Sequence, residues 1–121
     1  MAKKKAKSTR IKEEITKLSA LYADLEPGRK IVAAGLIERA AFMRVELEDL
    51  EAFLALNGWT EKFSQGDQEP YDRARPQGQT YQTMNGNYQK IIKQLDAMLP
   101  KQEAAPKDDG FEGFVEGRVE V

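Results

Sequence analysis

The feature that most constrains this chain is a proline-free stretch from Arg29 to about Leu56, closed by Asn57-Gly58. Its apolar residues are Ile31, Val32, Leu36, Ile37, Ala40, Phe42, Met43, Leu47, Leu50, Phe53 and Leu54. These spacings predict one long helix, roughly 42 Å at 1.5 Å per residue. Asn and Gly accept the left-handed backbone that ends helices. With Ala33-Ala34-Gly35 and Ala40-Ala41, the first half is apolar nearly all round, whereas the second carries Glu46, Glu48, Asp49 and Glu51. A helix apolar on more than one face must bury itself against more than one neighbour.

Two shorter helices are expected to supply neighbours. One spans about 8–25, with Ser8 and Thr9 as candidate caps and Ile11, Ile15, Leu18, Leu21, Tyr22 and Leu25 on one stripe. Leu25-Glu26-Pro27-Gly28 stops it. The other spans about 79–99, with Tyr81, Met84, Tyr88, Ile91, Ile92, Leu95, Met98 and Leu99 on its stripe, Asn85-Gly86-Asn87 as a weak point and Pro100 as its end. Helical spacing makes Tyr81, Met84, Tyr88 and Ile91 core residues rather than a binding box. Residues 57–79, rich in Gly, Pro and polar side chains, read as a long loop anchored by Trp59, Phe63 and Tyr71. The expected fold is therefore all-α: a helical hairpin plus a third helix around one long central helix, over residues 8–100. Three helices make only a thin core. The apolar surplus at Ile31, Val32, Leu36, Ile37 and Ala40 points to self-association.

Charge is spread unevenly. The chain has 121 residues and a net charge of −1. Residues 1–12 nevertheless hold six cations and no acid: Lys3, Lys4, Lys5, Lys7, Arg10 and Lys12. Residues 1–7 are expected to form a disordered basic arm. Such an arm can neutralise DNA phosphates and release counterions, but lysines position rather than read bases. The alternative is a solubility tail. Arg29 and Lys30 either extend that patch or are solvated charge at a helix end. Residues 101–121 carry three cations against six acids and are expected to be a flexible tail, with Phe111 and Phe114 as anchors for a partner.

Several chemistries fall away. The chain has no Cys and no His, which removes disulfides, thiol nucleophiles, Cys/His zinc sites and Ser-His-Asp triads. No glycine precedes the Lys-Ser/Thr of a phosphate-binding loop. Glu38, Glu46 and Asp49 share a helix face but read as solvated charge rather than a metal site. Neither an enzymatic role nor a cofactor is expected. No apolar run reaches a membrane span's length and no h-region follows the basic head, so the expected setting is intracellular.

From Ala40 to Pro100 the chain resembles the small terminase subunit of tailed bacteriophages. The residues that carry the resemblance are Glu38-Arg39-Ala40-Ala41-Phe42-Met43, Leu47-Glu48-Asp49-Leu50, Asn57-Gly58-Trp59-Thr60-Glu61, Tyr88-Gln89-Lys90-Ile91-Ile92-Lys93-Gln94-Leu95 and Met98-Leu99-Pro100-Lys101. Phe63-Ser64-Gln65-Gly66-Asp67-Gln68 is similar to the family's Tyr-x-Asn-Gly-x-x-Gln but departs at Phe63 and Gln65. Arg75-Pro76 stands where the family often has Ser-Pro. The resemblance implies a helical homo-oligomeric ring in the host cell cytoplasm. That ring binds double-stranded viral DNA and passes it to a large subunit carrying the ATPase and nuclease. A structural head-assembly or adaptor protein without DNA recognition is the alternative. A helix-turn-helix regulator fits poorly, because the loop at 57–79 is too long.

Overall fold

The computed structural model describes residues 5–100. Its elements run α1 (Lys7–Leu21), α2 (Pro27–Asn57), β1 (Thr60–Phe63), β2 (Tyr71–Ala74) and α3 (Pro76–Met98). The helical part of the expectation holds, and α2 is the spine on which α1 and α3 both pack. The expected all-α class needs one correction: a two-stranded antiparallel sheet lies within the stretch read as a loop.

The helix boundaries moved for a physical reason at both prolines. Pro27 and Pro76 each sit in the first turn of a helix rather than in the connection before it. The first turn has no intrahelical partner for its N–H groups, so a residue without one fits there. Glu26 caps α2, its side chain accepting from the Arg29 backbone N–H at 3.1 Å. Before α1 the position is Ala6, and neither Ser8 nor Thr9 caps the helix; both lie inside it. At the far end of α2, Gly58 takes φ 84° and its N–H reaches Leu54 O, so the Asn57-Gly58 stop is where the sequence places it. Asn85-Gly86-Asn87 does not break α3.

The core is narrow and built on small residues. Ala33, Ala40 and Ala41 are buried on α2, which lets neighbouring backbones come close. Ile37, Tyr22 and Leu95 fill one cluster with Ala33 and Ala40, and Ile15, Leu18, Leu36, Tyr88, Ile91 and Met98 close around it. Leu95 is the large side chain that is completely buried. Leu21, assigned to the buried stripe of α1, is exposed instead, and Tyr22 takes the inward position.

The hairpin register pairs Glu61 with Arg73, Lys62 with Asp72 and Phe63 with Tyr71. Opposite charges and facing aromatics are favourable cross-strand neighbours. The Phe63 and Tyr71 rings meet edge-on at 5.9 Å, and the Arg73 guanidinium lies 3.7 Å from the Phe63 centroid. Arg75 ties the sheet to the end of α2, donating to Gly58 O at 3.0 Å and Asn57 O at 3.0 Å. A cation there also suits the negative end of the helix dipole. Trp59 lies over the first turn of α3: a Cβ at Gly78 would fall 3.0 Å from its ring, and Tyr81 meets it edge-on at 5.9 Å.

Two substitutions test this packing. Leu95→Ala should cost about 2–5 kcal/mol by leaving a cavity in the one three-helix cluster. Gly86→Ala should stabilise by about 0.5–1 kcal/mol, because a Cβ there meets no atom within 4 Å and the helix interior favours alanine. Urea unfolding followed by circular dichroism measures both; a neutral Leu95→Ala would contradict the core described.

Candidate functional site: the basic arm and the acidic strip

The acidic face of α2 is not simply solvated. Lys7 Nζ lies 3.0 Å from Glu46 Oε2 and 3.4 Å from Asp49 Oδ2. Arg10 divides its guanidinium, Nη1 donating to Asp49 Oδ1 at 2.7 Å and Nη2 to Glu48 Oε1 at 3.2 Å. The first turns of α1 are thus stapled to α2 by side chains about 39 positions apart in sequence. Glu48 also accepts from Arg44 Nε at 3.1 Å, and Arg44 Nη1 donates to the Tyr88 hydroxyl of α3 at 3.4 Å. One chain of polar contacts, from Arg10 through Glu48 and Arg44 to Tyr88, therefore joins all three helices. Beside it the Tyr81 hydroxyl donates to Glu51 at 2.9 Å, which holds its pKa above the ordinary tyrosine value.

The electrostatics follow these contacts. The Lys7 pKa is raised first by its hydrogen bond to Glu46, and the Arg10 pKa first by its bond to Asp49. At Glu48 the largest single influence is burial, which pushes upward, but the hydrogen bonds from Arg44 and Arg10 together bring the carboxyl below its ordinary value. A cleft between α2 and α3 is lined by Arg44, Leu47, Glu48, Glu51, Asn85 and Tyr88. Its two carboxylates are the ones engaged by Arg44, Arg10 and Tyr81. Among the described residues no group of three acids is gathered to hold a metal ion.

The candidate DNA-binding residues separate into three groups. Lys3 and Lys4 lie outside the described residues. Lys5, Lys7 and Arg10 pair with the chain's own acids, Lys5 with Glu13 at 2.7 Å. Lys12 is exposed. Lys7, assigned to a disordered arm, is the first residue of α1. Arg73 and Arg75, further cations of the 57–79 stretch, are both held by Glu61, at 2.8 and 3.3 Å.

The candidate self-association residues also separate. Ile31 is 76% exposed and Val32 58%. Leu36 is half-buried against the core. Ile37 at 3% and Ala40 at 0% are spent inside the protomer, so these two hold the fold and offer no surface to a second copy. Phe42 is exposed as well; eleven positions after Ile31 it returns to the same side of α2. Phe111 and Phe114 lie outside the described residues. Among the described residues no helix is long and apolar enough to cross a membrane. No protein-family model, no curated protein and no solved structure matches the chain.

The staple carries a pH dependence with a definite sign. Glu48 titrates lower folded than unfolded, so the unfolded chain binds more protons in acid. Its contribution is present above the ordinary glutamate pKa of about 4.3 and is lost as pH falls through the lower folded value. Thermal midpoints measured between about pH 6 and 3 should fall, and less steeply for Glu48→Gln. A variant profile parallel to the wild type would show that the contact contributes nothing.

Proposed function

We propose that this chain is a terminase small subunit: an oligomeric, non-catalytic DNA-packaging protein of a tailed phage. It binds double-stranded viral DNA through its basic arm and recruits the large ATPase-nuclease subunit. The observation that carries the reading is the unfinished apolar surface of α2. α1 and α3 pack on the spine, while among the described residues Ile31, Val32 and Phe42 remain exposed on it. Such a surface suits a second copy, and repetition around a ring would close it. The resemblance from Ala40 to Pro100 supports reading that assembly as a terminase ring. The functional chemistry needs no cofactor.

A second reading has its own support. Lys5, Lys7 and Arg10 are engaged by Glu13, Glu46, Glu48 and Asp49, which leaves fewer cations for phosphate. A head-assembly or adaptor protein without DNA recognition would have no use for more. Binding to a duplex of arbitrary sequence separates the two readings, as does stimulation of the large subunit's ATPase.

Substitution on the two sides of α2 tests the assembly. Ile31→Asp should leave helicity intact and reduce the oligomer to smaller species in native mass spectrometry. Ile37→Asp should unfold the protomer, because a charge placed in the Tyr22–Ala33–Leu95 cluster has no partner. A wild-type chain that is monomeric at micromolar concentration would remove the ring from the proposal.

The tail has its own test. Truncation after Lys101 should leave helicity and oligomer size unchanged and abolish capture by the large subunit. Each buried Phe contributes about 1.5–3 kcal/mol, so losing Phe111 and Phe114 should weaken docking by roughly two orders of magnitude or more. Undiminished capture would place the docking surface on the helical body.

A further inference from the structure

We infer that the acidic strip of α2 competes with DNA phosphate for Lys7 and Arg10 at the start of α1, so that these two cations are held by their own chain until a polyanion displaces the strip. This rests on the DNA-binding reading above and adds to it a regulator built from Glu46, Glu48 and Asp49.

The geometry is that of a phosphate contact made by carboxylates. The Arg10 guanidinium already gives one terminal nitrogen to Asp49 and the other to Glu48, the two-pronged arrangement an arginine offers a phosphate. Lys7, one turn earlier, gives its ammonium to Glu46 and Asp49. Neither cation can meet a phosphate in full while these contacts stand. The strip lies against the first turns of α1, which opens at Lys7. A tethered competitor at this range acts at high effective concentration, whatever the amount of DNA in solution.

Nothing deep has to be undone for the exchange. The Asp49 and Glu46 side chains are 25% exposed and Glu48 is 44% exposed, so water can solvate them once the cations leave. Glu48 keeps Arg44 as a partner. Of the hydrophobic residues that hold α1 to α2, Ile15 and Leu18 lie on later turns than the staple, so the hairpin stays packed while its first turns change partners. An isolated protomer touching DNA by chance would offer little free charge. Several arms on one assembly, meeting the same duplex, would offer many phosphates at once.

The test uses the full chain and a short duplex of arbitrary sequence, with binding read by fluorescence anisotropy. Glu46→Gln with Asp49→Asn should tighten binding about tenfold at 50 mM salt and steepen the slope of log K on log salt by between about 1 and 2, because Lys7 is released fully while Glu48 still holds one Arg10 nitrogen. Adding Lys7→Gln and Arg10→Gln to that variant should return the slope to the wild-type value, whereas the same pair in the wild type should change it little. Circular dichroism checks that α1 survives. If the double variant loses helicity, Glu46→Gln alone leaves Asp49 on Arg10 and should give a smaller shift in the same direction. Wild type and folded acid variants with equal affinity and equal slope would overturn the competition and leave the ion pairs as structural staples. Absence of DNA binding in every form would overturn the DNA reading itself and the competition with it.

Discussion

Everything in this protein depends on α2 having to be covered from two directions. Ala33, Ala40 and Ala41 solve the problem by being small. With alanine at the contacts, helix axes approach closely and the flanking residues of α1 and α3 do the filling. The same economy limits the core. Among the described residues Leu95 alone of the large side chains is fully enclosed, and much of the remaining apolar surface is only half covered. A domain of this size is marginal on burial alone, which gives polar contacts and assembly more weight than they would have in a larger one.

The polar contacts are arranged accordingly. Along the second half of α2, alternation of apolar and acidic residues puts Leu47 and Leu54 inward and the carboxylates outward, within reach of both neighbouring helices. Glu48 is the node, since it meets Arg10 of α1 and Arg44 of its own helix, and Arg44 meets Tyr88 of α3. Single surface pairs contribute little, but a chain of them that spans three elements also fixes their register. The basic head and the acidic face, which look like separate features in one dimension, are two halves of one contact.

The spine, the two packing helices and the Asn57-Gly58 stop were legible because each rests on a local signal: a 3.6-residue period or a residue that fits one backbone shape. The hairpin was not. Its strands are four residues each, and Thr60–Phe63 and Tyr71–Ala74 show no apolar alternation because most of their side chains are exposed. What holds them is the cross-strand matching of Glu61 with Arg73, Lys62 with Asp72 and Phe63 with Tyr71, a pattern visible only once the register is known. Pro27 reads as a stop and Pro76 as part of a loop, yet both open helices, since a proline says that a helix does not pass through it and leaves open on which side one lies. The candidate site was half legible. The cations and the carboxylates were both singled out, but the contact between Lys7 and Glu46 spans 39 positions, and no periodicity reports it.

The two ends of α2 also ask for different kinds of partner. The first presents the exposed Ile31 and Val32. The other is the acidic strip, already carrying the chain's own arm. An interface built on the first is driven by burial and should persist in salt. One that opens the second trades ion pairs for ion pairs and weakens as salt rises. Separating them along a single helix lets the assembly stay closed under conditions that release the arm. On the DNA-packaging reading, that is the property needed by a ring that must hold its shape while it repeatedly takes and yields a polyanion.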